Sequence, residues 1–288
     1  MPKDSTLVAI LTTSDSEACL RAVKSVGDHN IVIICNSLNP TYYSELCEVM
    51  PDHIIIETQS TGLPGPGKQS VWDYFLSTDY EYLILQEGDD MFYPGGVDKI
   101  VTWQSESDAD AWWVVGEDIL YDGRLMSNWR QLDLTAILSD TGVPDSDLMA
   151  MIKYMTDIFK LITQRGYSHH RIIQINRHIA QTFSYNTKIQ GSEDVIMNAK
   201  LKLSHLRSEI TLRVMHSQEI CVYHKHINTG AGRQFMLSDA GKLSEQFYSE
   251  FSDSECHTLR ITELPEHKLS DTHSEFQRFR TYRRMLRS

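Results

Sequence analysis

Three carboxylates stand close together at Glu87, Asp89 and Asp90, directly after the apolar run Tyr82–Leu85. Clustered carboxylates repel one another unless a cation or hydrogen-bond donors offset their charge. Mg²⁺ and Mn²⁺ prefer carboxylate oxygens, together with the phosphate oxygens of a substrate. Gly88 lets the backbone turn tightly or approach a ligand closely. The segment therefore indicates either a divalent metal that clamps a diphosphate or a solvated acidic turn.

Charged residues also lie at the starts of two predicted helices. Lys68 follows the Gly- and Pro-rich stretch Gly62–Gly67, which lacks the GxxxxGK[ST] pattern of a P-loop. Its ammonium could hold a phosphate as a mobile point charge, or it could lie at the surface. Glu193 and Asp194 begin another predicted helix, where the helix dipole favours acidic residues without any chemistry. From these residues alone, a functional and a purely structural role stay open at each position.

The elements that must position these groups follow from the hydrophobic pattern. In the first half of the chain, short continuous apolar runs alternate with amphipathic segments. The predicted strands are Thr6–Leu11, Ile31–Cys35, Ile54–Ile56 and Tyr82–Leu85. This alternation predicts a parallel sheet covered by helices on both faces. The fold class that follows is a doubly wound α/β architecture.

Polar residues follow the predicted strands at the point where each strand ends. Thr12 and Ser14 come after the first strand, Asn36 comes after the second, and the acidic segment comes after the fourth. In doubly wound sheets, ligands bind beyond the carboxyl ends of the strands. We therefore expect the functional site at this edge of the sheet.

The charge balance argues against a general nucleic-acid-binding protein. The 288 residues include 27 basic and 39 acidic side chains, which gives a formal net charge of −12. An acidic chain repels phosphate backbones at long range. Five arginines between Arg278 and Arg287 nevertheless leave contact of the tail with an anionic surface open.

The sequence also bears on the cellular compartment. No apolar run approaches the roughly 20 residues needed to span a bilayer, and the first residues, MPKDST, lack a signal-peptide pattern. The 5 cysteines are scattered without a CxxC pair, which fits a reducing compartment. We therefore expect a cytoplasmic protein without a transmembrane segment.

Five segments carry a family resemblance: VAILTTSD, GKQSVWD, LILQEGDDMFYPGG, the pair Glu193–Asp194, and VYHKHINTGAG. These segments resemble segments of the family 2 glycosyltransferases, which have the GT-A fold, and they occur in the same order. The corresponding family segments are the first strand, the basic segment, the strand that ends in DxD, the ED pair at a helix start and a late segment that contains a histidine. Glu87 makes the motif ExD here, and Asn36 stands where the family often has Asp. The resemblance implies a GT-A-like, mostly parallel mixed sheet with helices on both faces.

The resemblance implies a metal-dependent, inverting transfer of a sugar from a UDP- or GDP-sugar to a hydroxyl of a saccharide, a lipid or a protein glycan. It assigns Asp194 as the catalytic base, and Asp89 and His226 as ligands of Mn²⁺ or Mg²⁺. The substrate-binding residues that it implies are Thr12, Ser14, Asn36, Lys68, Glu87 and Glu193.

The expected organisation is a GT-A-type catalytic domain over residues 1–235 and a helical C-terminal extension with a basic tail over residues 236–288. Within the domain, residues 1–110 would bind the nucleotide sugar and residues 111–235 the acceptor. Three alternatives stay open. They are a sugar transferase that modifies a nucleic-acid base, which the net charge disfavours, a nucleotidyltransferase, and a non-catalytic module with the same fold.

Overall fold

The computed structural model describes residues 4–58, 62–115, 118–121, 124–126, 171–187, 193–225, 249–268 and 272–287. The strands are β1 (Thr6–Thr12), β2 (Asn30–Cys35), β3 (Ile54–Glu57), β4 (Tyr82–Glu87), β5 (Met91–Phe92), β6 (Ala111–Val115), β7 (Asp118–Tyr121), β8 (Arg124–Met126), β9 (Arg171–Asn176), β10 (Leu212–His216), β11 (Cys221–Lys225) and β12 (Glu266–Lys268). The helices are α1 (Ser16–Val26), α2 (Tyr42–Val49), α3 (Pro64–Leu76), α4 (Gly96–Glu106), α5 (Arg177–Thr182), α6 (Glu193–Leu206), α7 (Asp253–Ile261) and α8 (Glu275–Met285).

Within these described ranges, eight strands form the main sheet, in the order β12-β10-β6-β9-β4-β1-β2-β3. Strand β1 pairs in parallel with β2 and β4, and β2 pairs in parallel with β3. Strand β9 is antiparallel to both of its neighbours, β4 and β6, whereas β10 is parallel to β6 and β12. The mixed, mostly parallel α/β sheet predicted from the sequence is therefore confirmed.

Helices cover both faces of this sheet because alternate residues of a strand point to opposite sides. Val8 and Ile10 of β1 join a buried cluster with residues of α1, α2 and α4. Leu7, Ala9 and Leu11 join a second buried cluster with residues of α3, α5 and α6. Burial on both faces explains why this strand is a continuous apolar run in the sequence.

A second, smaller sheet has the strand order β5-β11-β7-β8 and was not predicted from the sequence. Its two-residue strand β5 pairs antiparallel with β11, so that Met91 lies opposite Val222 and Phe92 opposite Cys221. A strand this short leaves no periodic signal in the sequence. Because β5 follows directly after the acidic segment, this sheet fixes the path of the chain beyond β4.

In its described residues, the C-terminal extension contains the helices α7 and α8, in agreement with the helical prediction. Serine side chains cap both of them in capping boxes, Ser252 with Glu255 and Ser274 with Gln277. Between these helices, β12 pairs with β10 and forms one edge of the main sheet.

No helix in the described part of the chain is long and apolar enough to cross a membrane. Much of the predicted acceptor-binding half, residues 127–170, lies outside the described residues.

Arg177 joins the end of helix α3 to the segment that precedes β4. Its guanidinium donates to the carbonyl oxygens of Tyr80 at 2.7 Å and Leu76 at 3.1 Å, and also to that of Thr78. The same group lies 5.0 Å from the centroid of the Phe75 ring. The last carbonyls of a helix have no partner within the helix, and a cation there is favoured by the helix dipole. Arg177 therefore anchors the helix that carries Lys68.

Replacing Arg177 by alanine should lower the free energy of unfolding by about 2 to 3 kcal/mol, because several carbonyls lose a charged donor. The measurement is chemical denaturation followed by circular dichroism. Arg207→Ala is the matched control, since it removes only an exposed pair with Glu255 and should cost about 1 kcal/mol or less. Equal losses in the two variants would show that Arg177 does not anchor α3.

Candidate active site

Strand β4 ends at Glu87, and the chain turns before β5 begins at Met91. Within this acidic turn, Glu87–Asp90, the Asp90 N–H donates to the Glu87 carbonyl oxygen at 3.1 Å. One carboxylate oxygen each of Glu87, Asp89 and Asp90 lies within 4.8 Å of the others. Asp90 is fully buried, and the other two side chains are half-buried. Three hard oxygen ligands at this spacing fit a cation such as Mn²⁺ or Mg²⁺.

Gly88 allows the acidic turn to lie against the end of β1. Its N–H donates to the Leu11 carbonyl oxygen at 2.7 Å. A Cβ atom at this position would lie 2.7 Å from the Cβ atom of Thr12, closer than two side chains can approach. Glycine is therefore required at this contact, and the ends of β1 and β4 lie side by side as the strand order predicts.

Lys68 connects the acidic turn to the start of helix α6. Its ammonium lies 3.4 Å from a carboxylate oxygen of Glu87, 3.0 Å from one of Glu193 and 2.5 Å from one of Asp194. The lysine side chain is buried, and only 4% of it is exposed. Three separate segments of the chain thus meet at the Lys68 ammonium. We call Lys68, Glu87, Glu193 and Asp194 the Lys68 cluster.

The charges of the Lys68 cluster depend on one another. Burial alone would lower the pKa of Lys68, but Asp194, Glu193 and Glu87 outweigh burial and hold this pKa well above its ordinary value. Burial also raises the pKa of Glu193, although the nearby ammonium opposes the shift. Lys68 therefore stays charged, and it offsets the repulsion among the three carboxylates.

Glu193 and Asp194 occupy the first turn of α6, where the helix dipole stabilises negative charge. The two side chains differ in access. The Glu193 side chain is 7% exposed, whereas 51% of the Asp194 side chain is exposed. The structural and the functional interpretation of this pair are therefore compatible, and Asp194 is the member whose carboxylate is open to solvent.

The predicted nucleoside contacts lie at the ends of β1 and β2. Thr12 is buried, and its hydroxyl lies 2.6 Å from the Tyr42 hydroxyl. Asn36 is also buried; it donates to the Leu63 carbonyl oxygen at 2.9 Å and accepts from Thr58 at 3.1 Å. Ser14 is exposed. The amide of Asn36 thus holds the loop before α3, and contact of these residues with a nucleoside stays a prediction.

His226, the second predicted metal ligand, lies outside the described residues. Strand β11 ends immediately before it, at Lys225. The same strand pairs antiparallel with β5, which begins immediately after the acidic turn. Coordination of a metal by His226 stays a prediction.

Sequence reasoning missed one residue of this region, Tyr185. Its ring packs 4.8 Å from the ring of Trp72, and its backbone N–H donates to Gln69 at 2.8 Å, so α3 holds it in place. Burial, and then the charge of Asp194, raise the pKa of Tyr185 above its ordinary value, so the phenol stays protonated. A single tyrosine in a loop carries no spacing pattern by which the sequence could have indicated its place.

Comparison with known proteins defines the fold more closely. Neither a family model nor a curated protein matches the sequence. The structure is similar to that of S. aureus TarS, residues 1–349, in complex with UDP-GlcNAc, with 12% sequence identity and a TM-score of 0.55, over 88% of this chain and 70% of that chain. The same TarS fragment in complex with UDP matches at 11% identity and a TM-score of 0.50, over 90% of this chain and 75% of that one.

At these identities the similarity establishes the fold. The chain has a GT-A-like fold, a mostly parallel mixed α/β sheet with helices on both faces. The architecture that the sequence resemblance implies is therefore confirmed. The acidic turn lies at the carboxyl end of a central strand of this fold, where such sheets bind their ligands.

Replacing Lys68 by methionine should lower the free energy of unfolding by about 3 kcal/mol near neutral pH, because a buried carboxylate loses its cation. The folded-state pKa of Glu193 is already raised and should rise further in the variant. A carboxyl whose pKa is higher in the folded than in the unfolded state destabilises the fold as pH rises above its unfolded pKa of about 4.3. The loss should therefore shrink as pH falls towards about 4.

The measurement is urea denaturation of both proteins at a series of pH values. Lys200→Met is the matched control, because its pair with Glu250 is partly exposed and should contribute about 1 kcal/mol or less. A small, pH-independent loss in Lys68→Met would contradict the description of Lys68 as the cation that stabilises the cluster.

Proposed function

We propose that this protein is a metal-dependent glycosyltransferase that transfers a sugar from a nucleotide diphosphate sugar to a hydroxyl acceptor. The observation that carries the proposal is that the Lys68 ammonium contacts both Glu87 of the three-carboxylate turn and Asp194, within a GT-A-like fold. A UDP-sugar is the favoured donor, because the similar TarS fragment is described in complex with UDP-GlcNAc and with UDP.

The donor diphosphate would lie at the acidic turn. Asp89, with its neighbours Glu87 and Asp90, would hold Mn²⁺ or Mg²⁺, joined by His226 in the same proposal. Such a cation supplies positive charge that offsets the charge of the departing diphosphate. Lys68, held by Glu87 at the end of β4, would supply a second positive charge near the phosphates. Thr12, Ser14 and Asn36, at the ends of β1 and β2, would contact the nucleoside.

Asp194 would be the catalytic base. Its carboxylate takes the proton of the acceptor hydroxyl as the acceptor oxygen attacks the anomeric carbon. The new bond from the acceptor oxygen to the anomeric carbon forms while the bond to the diphosphate breaks, and the nucleoside diphosphate leaves. Attack from the face opposite the leaving group inverts the anomeric centre. Glu193, which is buried beside Lys68, would hold the base in place and so orient the acceptor indirectly.

Asp194→Asn should reduce the release of UDP from a UDP-sugar about 100-fold or more, because the amide cannot accept the proton. Binding of UDP, measured by calorimetry, should stay within about threefold of wild type, because an uncharged isostere keeps the fold and Glu87 and Glu193 still neutralise Lys68. The assay would use a panel of UDP-sugars with Mn²⁺, and with water or simple saccharides as acceptors. Full turnover in the variant would exclude Asp194 as the base.

Asp79→Asn is the matched control, since Asp79 is exposed on the loop before β4 and should leave the rate unchanged. The products separate the alternatives. Release of pyrophosphate would identify a nucleotidyltransferase, and transfer to DNA with salt-dependent binding would identify a base-modifying enzyme. A wild-type protein that releases no UDP from any donor would favour the non-catalytic module.

A further inference from the structure

A buried ion pair attaches the C-terminal helix α8 to the smaller sheet. The guanidinium of Arg278 donates to both carboxylate oxygens of Asp118, with Nε–Oδ2 and Nη2–Oδ1 distances of 2.7 and 3.2 Å. It also donates to the Gln218 side chain at 2.7 Å and to the His273 carbonyl oxygen at 2.9 Å. Asp118 is fully buried and Arg278 is 4% exposed. Removing either partner of such a pair would leave an uncompensated charge buried in the protein, which is strongly destabilising.

The same carboxylate is linked to the segment that follows the acidic turn. The Tyr93 hydroxyl donates to Oδ2 of Asp118 at 2.7 Å, and the Tyr93 N–H donates to the Ile220 carbonyl oxygen at 2.9 Å. Burial and the charge of Asp118 raise the pKa of Tyr93, so the phenol stays the donor. Tyr93 is separated from Asp90 only by the two residues of β5. One continuous set of hydrogen bonds therefore runs from α8 to Tyr93, three residues after the end of the acidic turn.

Apolar packing runs along the same path. Tyr282 and Met285 of α8 pack with Met91, Tyr93 and Val222 in a small separate cluster. Met91 directly follows Asp90, so the side chain next to the acidic turn lies within the cluster that α8 covers. Polar and apolar contacts of the C-terminal helix thus converge on the same three-residue segment.

A second polar group fastens the segment before α8 to the turn that precedes β11. Glu219 accepts hydrogen bonds from Lys99 at 2.7 Å and from Thr272 at 3.1 Å, and it is also bonded to His273. Although burial opposes the shift, these donors hold the pKa of Glu219 at about 2. The carboxylate is therefore ionised at neutral pH, and α8 begins from a fixed position.

We propose that Arg278 is a positioning residue for the acidic turn, acting through Asp118 and Tyr93. The carboxylates of the turn repel one another when no cation is bound, so their spacing must be held by the surrounding structure. The two-residue strand β5 is too short to absorb a displacement of Tyr93. This inference rests on the metal site of the proposed function, and it gives the C-terminal helix a part in that site although none of its residues belongs to the turn.

Arg278→Gln should weaken Mn²⁺ binding about 10-fold or more, the usual range for residues that orient metal ligands. The measurement is calorimetric titration of the nucleotide-free protein with Mn²⁺, so the result does not depend on turnover. At saturating Mn²⁺, kcat should stay within about threefold of wild type, because positioning of the ligands is restored by the cation. Arg278→Lys should recover part of the affinity, since lysine keeps the positive charge but cannot donate two parallel hydrogen bonds to the Asp118 carboxylate.

Arg280→Gln is the matched control, because Arg280 lies on the exposed side of the same helix and should leave Mn²⁺ affinity unchanged. Tyr93→Phe removes a single hydroxyl and serves as the second test if Arg278→Gln does not fold; it should weaken Mn²⁺ binding about three- to tenfold. Wild-type affinity in both folded variants would overturn the inference alone. A wild-type protein that binds no Mn²⁺, either alone or with UDP present, would overturn the proposed metal site, and this inference with it.

Discussion

The buried ammonium of Lys68 is the interaction on which the site depends. Glu87 ends β4, Glu193 and Asp194 begin α6, and without a shared cation these carboxylates would repel one another at close range. A lysine with only 4% of its side chain exposed would itself be costly to bury without them. Each charge is thus stabilised by the others, and the cluster holds two parts of the chain that are distant in sequence around one edge of the sheet.

The acidic turn next to this cluster is fixed from two directions. On one side, Gly88 lets the turn approach the end of β1 so closely that a Cβ atom would collide with Thr12. On the other side, β5 and Tyr93 tie the turn to β11, Asp118 and the C-terminal helix. The turn can therefore keep three carboxylates close together, which is the arrangement that a divalent cation requires.

Much of the first half of the fold follows from the sequence, because strands buried on both faces give continuous apolar runs, and the polar residues after them share one sheet edge. The structure brings Asp194 and Glu87 of the acidic turn to the same lysine, Lys68, and the roles of these residues stay predictions. Lys68 was predicted as a phosphate ligand, and the structure shows it paired with carboxylates, a contact between segments too far apart in sequence for spacing to reveal. The smaller sheet and the Asp118–Arg278 pair were missed for the same reason, since each depends on long-range contacts of short elements.

The most direct test of the account is calorimetric titration of the wild-type protein and of Asp89→Asn with UDP, each with and without Mn²⁺. If the acidic turn holds a cation whose charge is needed to bind a diphosphate, wild-type protein will bind UDP tightly only when Mn²⁺ is present, and Asp89→Asn will lose that enhancement. Equal UDP affinity of the wild-type protein with and without Mn²⁺ would contradict the account.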